Sequence, residues 1–74
     1  MSKLPRITGN QLIKALQKLD FVVARIKGSH HVLIHEDGRR TVVPVHSGED
    51  IGNGLLSQIL KDCQITRDEL RVLL

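Results

Sequence analysis

Apolar positions recur along this chain in two rhythms, and the change of rhythm marks its elements. Leu12, Ile13, Leu16 and Leu19 fall at helical spacing, with Gln11, Lys14, Gln17 and Lys18 on the other face. Thr8 and Gln11 have the form of a capping box, which satisfies free N–H groups at a helix start. The spacing predicts a helix over 9–19, stopped near Asp20. Residues 1–7 read as a loose lead-in, because Pro5 disfavours helix at Leu4. From Phe21 to Ile26 the residues turn β-branched and apolar, which predicts a strand. Lys27 to His30 turn the chain, and His31 to Glu36 form a second strand. Asp37-Gly38 reads as a two-residue hairpin turn, since such turns need φ > 0 and glycine adopts it freely. Arg39 to Val45 form the third strand, with Pro44 at a strand end or edge because it has no N–H to donate. Ser47-Gly48-Glu49-Asp50 is a loop. A second helix runs from Gly52 or Asn53 to about Asp62, with Leu55, Leu56, Ile59 and Leu60 on one face. Its first turn is weakened by Gly52 and Gly54. Thr66 and Glu69 repeat the capping-box form, so a short helix follows over 67–73, burying Leu70 and Leu73.

The order is helix, three-stranded meander, helix, short helix. A three-stranded sheet needs cover on at least one face. Two amphipathic helices on the same face supply it and leave the other face open. The expected class is α+β, a double-stranded-RNA-binding-like α-β-β-β-α sandwich with a short helix appended, spanning 1–74 as one domain.

A two-residue turn at Asp37-Gly38 pairs Glu36 with Arg39. Ile34 then lies opposite Thr41, Val32 opposite Val43, and His31 opposite Pro44. Side chains alternate faces along a strand. Val32, Ile34, Val43 and Val45 make the more apolar face and are assigned to the helices. His31, Leu33, His35, Arg40 and Val42 are assigned to the open face, which turns both histidines to solvent beside a cation. A slip of one residue would bury His31 and expose four β-branched side chains.

Composition narrows the function. The chain has 74 residues, and a domain of that size buries only about 60% of its unfolded surface. The single Cys63 forms no internal disulfide and there is no CxxC motif, which argues for a reducing compartment, the cytoplasm. The N-terminus has no apolar run behind its charges and does not resemble a secretory signal. No segment approaches the roughly 20 apolar residues of a membrane span. Eleven Lys and Arg against eight Asp and Glu leave a formal net charge of +3, a mild lean toward anionic partners. Phe21 is the only aromatic residue. That speaks against base-stacking binders of single strands and against an RNA-recognition sheet.

The stretch Lys27-Gly28-Ser29-His30-His31 concentrates the candidate chemistry. Four histidines (30, 31, 35 and 46) invite a metal. His31 and His35, however, are about 13 Å apart on a strand, whereas each must come within about 2 Å of a zinc ion. His30 and His31 point to opposite faces. No metal and no cofactor are therefore expected. General acid–base catalysis fits better, because histidine exchanges protons near neutral pH. Cleavage of RNA can use the neighbouring 2′-OH as nucleophile and needs only proton transfer and cations around the charged transition state. His31 suits the first task; Lys27, Arg25, Arg39 and Arg40 suit the second. The plainer reading of any one surface histidine is a surface residue, and spacing alone does not overturn it. Gly28 permits a tight turn, and also lets backbone approach a phosphate to which the Ser29 hydroxyl can donate. The Arg39-Arg40 pair is by default a solvated hairpin tip, or else an RNA backbone contact. Ser29 and His30 make no nucleophile–base pair, because adjacent residues on an extended chain diverge.

Gly28-Ser29-His30-His31 after a strand begun by Phe21, followed by Gly38-Arg39-Arg40-Thr41-Val42-Val43-Pro44-Val45-His46 and a Leu-rich helix, resembles the HicA (YcfA-like) toxin family. The likeness runs from about Thr8 to Ile65. It implies a double-stranded-RNA-binding-like fold and a metal-independent, ribosome-independent mRNA interferase of a type II toxin–antitoxin system. It implies mRNA as substrate and a HicB-like antitoxin as the neutralising partner. The last residue of the Gly-Ser-x-His element, His31, would be the catalytic histidine, and His30 occupies the variable position. Lys27, Gly28, Ser29, Arg39 and Arg40 are the candidate RNA- and phosphate-binding residues. His35, His46 and the lysines are the candidates for a second acid–base partner. Neither a membrane nor a small-molecule ligand is expected. The rival readings are a non-catalytic RNA-binding or partner-binding module on the same scaffold, and a toxin inactivated by drift.

Overall fold

The computed structural model describes residues 4–74. The elements follow in the order α1 (Gly9–Gln17), β1 (Val22–Lys27), β2 (His30–Ile34), β3 (Arg40–Pro44), α2 (Asn53–Cys63) and α3 (Arg67–Leu73). The strands form one antiparallel meander in the order β1-β2-β3. The helices cover one face of it, and the other is open. Both capping boxes form: Gln11 N–H donates to Thr8 Oγ1 at 3.2 Å and Thr8 N–H to Gln11 Oε1 at 3.0 Å, with Thr66 and Glu69 repeating the arrangement at α3. The apolar rows of α1 and α2 then meet the sheet. Leu12, Leu16, Leu56, Ile59, Phe21, Leu33 and Val43 are all buried, and Leu70 brings α3 into the same core.

Part of the expected loose lead-in, residues 1–3, lies outside the described residues. The rest is anchored. Ile7 is buried, its carbonyl accepts from Ile51 N–H at 2.8 Å, and Thr8 bridges Asp50. The segment that follows β3 is thereby pinned beside the start of α1.

The β2–β3 register differs from the expected one. His30 pairs with Pro44, His31 with Val43, Val32 with Val42, Leu33 with Thr41 and Ile34 with Arg40. The cause is loop length. His35 N–H donates to the Arg39 carbonyl at 2.8 Å, and Gly38 N–H to the His35 carbonyl at 2.9 Å. The loop therefore holds three residues, Glu36, Asp37 and Gly38, with Gly38 in the left-handed region at φ 99°. This is a three-residue hairpin with its glycine last, not a two-residue turn on Asp37-Gly38. One extra loop residue turns β2 over relative to β3. Val43 stays under the helices and Arg40 and Val42 stay on the open face, as expected. Val32 and Ile34 move to the open face, while His31, Leu33 and His35 move under the helices.

β1 carries a bulge that shifts its register between Val23 and Arg25. Val23 pairs with Leu33 and packs against the core, whereas Arg25 pairs with Val32 and joins the open face. Ile26 shares the side of its partner His31 yet is 60% exposed. The helices therefore leave that end of the sheet partly uncovered.

The register is testable by ranking two neighbours. Leu33→Ala should lower unfolding stability by about 2–5 kcal/mol, as expected for a fully buried leucine. Ile34→Ala, 41% exposed, should lower it by well under half of that. Urea midpoints of the two variants decide, and the opposite ranking would restore the two-residue turn.

Candidate functional site

The two ends of the sheet carry different chemistry. At one end the β1–β2 hairpin closes with Lys27 opposite His30, and Gly28 and Ser29 form its two-residue turn. Gly28 takes φ 58° at the first turn position, where a II′-type turn requires glycine. The Ser29 carbonyl points across the sheet and accepts from Val45 N–H at 2.7 Å. It also lies 3.2 Å from His31 Nδ1. A carbonyl oxygen only accepts, so Nδ1 carries the proton in the neutral ring. Nε2 is left with a free lone pair. His31 is half-buried on the partly covered side of the sheet, opposite Val43. The expected placement on the open face beside Arg40 is overturned: Arg40 pairs with Ile34, three steps along β2 and on the other face.

A contact beneath this end keeps it in place. A Cβ on Gly9 would overlap the Pro44 carbonyl oxygen and lie 3.1 Å from Val45 Cα. The first turn of α1 can press on the end of β3 only because residue 9 has no side chain. That pressure bears on Val45, whose N–H holds the Ser29 carbonyl.

The other end is a structural knot. The Asp37 carboxylate receives Arg39 N–H at 3.0 Å and Arg39 Nε at 2.8 Å. Arg39 Nη1 donates to the Cys63 carbonyl at 2.5 Å, and its guanidinium lies 5.0 Å from the centre of the Phe21 ring. His35 meets the same ring edge-on at 5.1 Å, and its Nδ1 accepts from Asp37 N–H at 3.1 Å. Arg39 thus ties the hairpin tip to the end of α2. His35 is about 13 Å along the strand from His31, beyond reach of a shared proton transfer. The Arg39 backbone N–H, helped by its guanidinium and by His35, holds the Asp37 carboxyl below the ordinary carboxylate range. Burial, with the Asp62 charge added, pushes the Cys63 thiol up to about 11. Cys63 therefore stays a thiol at neutral pH and acts as a small apolar core residue.

Of the candidate residues, the structure gathers Lys27, Gly28, Ser29 and His31 at one hairpin and sets Arg39 and Arg40 at the opposite end. His46 is exposed two residues past β3, at the His31 end. Among the described residues no cluster of three His, Cys, Asp or Glu side chains could hold a metal ion, and no helix is long and apolar enough to cross a membrane. Two features escaped sequence reasoning. One is the Gly9–Val45–Ser29 support, which joins residues far apart in the chain. The other is the face that Arg25, itself a candidate cation, occupies: a bulge with no compositional mark puts it on the open one.

A three-stranded meander with helices on one side and an open face on the other is a double-stranded-RNA-binding-like α+β sandwich. A family model described as the HicA toxin of bacterial toxin–antitoxin matches residues 9–65, and the chain belongs to that family. Its membership implies an antitoxin partner. A search of the curated proteins returns no match. His31 lies inside the matched span, and α3 lies beyond it although Leu70 is fully buried.

Two outcomes follow from the supports. Gly9→Ala should destabilise the fold by about 1–3 kcal/mol, because the added methyl meets backbone and not a flexible side chain. Nitrogen chemical shifts of the His31 ring should show the Nδ1–H tautomer in the wild type and a mixture in Gly9→Ala. Asp37 should make the hairpin tip acid-sensitive. A carboxyl held below its ordinary value stabilises at and above that range, and loses its effect as pH falls through the lowered value. The Arg39 amide resonance should report this titration, and Asp37→Asn should abolish it.

Proposed function

We propose that this chain is a cytoplasmic endoribonuclease that cleaves mRNA by general acid–base catalysis at His31, and that a HicB-like antitoxin neutralises it. The observation that carries the reading is the Ser29 carbonyl on His31 Nδ1, 3.2 Å away. A histidine that moves protons efficiently is oriented through one ring nitrogen so that the other is presented to substrate. Here the orienting group is backbone, and it belongs to the Gly-Ser turn that also exposes amide and hydroxyl donors.

The chemistry needs no metal. The 2′-oxygen attacks the adjacent phosphorus and loses its proton, and the 5′-oxygen leaves and gains one. The products are a 2′,3′-cyclic phosphate and a 5′-hydroxyl. His31 Nε2 serves one of the two transfers. The Gly28 backbone and the Ser29 hydroxyl would hold the phosphate, with Lys27 next to the turn on the other face adding positive charge, and charge on the pentacovalent transition state is what such donors stabilise. Arg40 is a more distant backbone contact. Arg39 is engaged in the hairpin knot and is assigned a structural role.

Induction of the wild type should arrest growth and shorten transcripts, and His31→Ala should do neither. With purified protein, His31→Ala should slow cleavage by roughly 10²–10⁴-fold, the usual contribution of a positioned acid or base. Wild-type cleavage should persist in EDTA. Equal harm from both proteins, or equal harmlessness, would mean a non-catalytic binding module.

A further inference from the structure

The open face of the sheet is not uniform. Near the β2–β3 hairpin it carries a row of Val22, Ile34 and the exposed Arg40, and Val22, 54% exposed, borders a depression at the β1 edge shared with Ile34, Asp20 and Glu36. Near the Gly28-Ser29 turn it is basic. There a shallow groove is lined by Arg25, Lys27 and His30 over a floor of Val32 and Val42. Among the described residues, no carboxylate lines this groove, and neither Arg25 nor Lys27 forms a salt bridge. Unpaired cations around a concave surface concentrate anions. The groove and His31 share one end of the sheet but lie on opposite faces, because His30 and His31 are consecutive in β2.

We propose that Arg25, Lys27 and His30 form a track for the sugar-phosphate backbone of the RNA strand, which passes around the Gly28-Ser29 turn to reach His31. This rests on the reading of the chain as an RNA-cleaving protein. The track reads no bases. Its floor is two valines, with no aromatic ring for stacking, so affinity comes from phosphate neutralisation alone. Sequence preference in cleavage, where it exists, arises at the His31 side.

The test uses full-length protein carrying His31→Ala, which binds without cutting, and labelled oligo-uridine and oligo-adenosine over a salt series. In that background Arg25→Ala and Lys27→Ala should each weaken binding several-fold, equally for both oligonucleotides. Each should lower the slope of log affinity against log salt by about 0.7, one phosphate contact on a single strand. Lys14→Ala removes the same charge from the exposed side of α1 and should leave the slope unchanged. Circular dichroism checks that these exposed-site variants fold. In cleavage by protein with His31 intact, Arg25→Ala should raise KM and spare kcat. Unchanged affinity in the variants overturns the track while leaving the His31 reading intact, provided wild type still cleaves. A loss confined to one oligonucleotide, or an equal loss in Lys14→Ala, overturns it as well. Intact RNA binding with loss of the antitoxin complex would give the groove to an acidic protein instead. Absence of any RNA binding, together with absence of cleavage by wild type, sinks both readings at once.

Discussion

Which residue closes the β2–β3 hairpin decides which face of β2 meets the helices. His35 closes it, through its N–H to the Arg39 carbonyl at 2.8 Å. Three residues then fill the loop, and every side chain of β2 takes the orientation this requires. Leu33 is driven into the core under α1 and α2, and two imidazoles go with it to the helix side. The closure is reinforced from outside the loop. Asp37 grips the Arg39 backbone and guanidinium, and Arg39 grips the end of α2. Phe21, the one aromatic ring, lies against both Arg39 and His35. A two-residue turn would leave this ring without either partner and expose Leu33.

The sheet is therefore anchored at one end, and the proposed chemistry lies at the other. At the anchored end Asp37 and Arg39 meet each other, and Arg39 also meets the Cys63 carbonyl. At the Gly28-Ser29 end Arg25 and Lys27 form no salt bridge among the described residues, and the helices stop short, as the exposure of Ile26 shows. A reactive histidine benefits from that division. It needs one nitrogen fixed by a rigid neighbour and one left open to a ligand. The Ser29 carbonyl is held by Val45 N–H, just past the end of β3, and α1 packs closely on that same stretch through Gly9.

Much of this was legible in the chain itself. Helical spacing and the Thr8 and Thr66 caps located all three helices, and α3 runs over the expected 67–73. The three strands and the open-faced sandwich followed from the same pattern. Loop length did not. Asp37-Gly38 fits a two-residue turn and the last two places of a three-residue loop equally well, and local propensity cannot choose between them. The choice falls to Leu33, Phe21 and Arg39, whose contacts come from parts of the chain that are not neighbours in sequence. The apolar count misled for a related reason. Val32 and Ile34 suit the covered face by composition, yet a β-branched residue on an open sheet face is ordinary. Only one buried leucine was needed to outweigh them.

The observed register changes what the two adjacent histidines can do. With both His31 and Arg40 on the open face, proton transfer and phosphate binding would share one surface. With β2 turned over, a single backbone step separates them. His31 lies on a half-covered side where water is partly excluded and hydrogen bonds gain strength. His30 is exposed beside Arg25 and Lys27, where a long anion can be collected without desolvating a buried charge. Collecting a polyanion favours an open, hydrated surface, whereas orienting an imidazole favours a sheltered one. A strand satisfies both because alternate side chains face opposite ways. The tight Gly28-Ser29 turn keeps the path between the two faces short, as the proposed track around it requires.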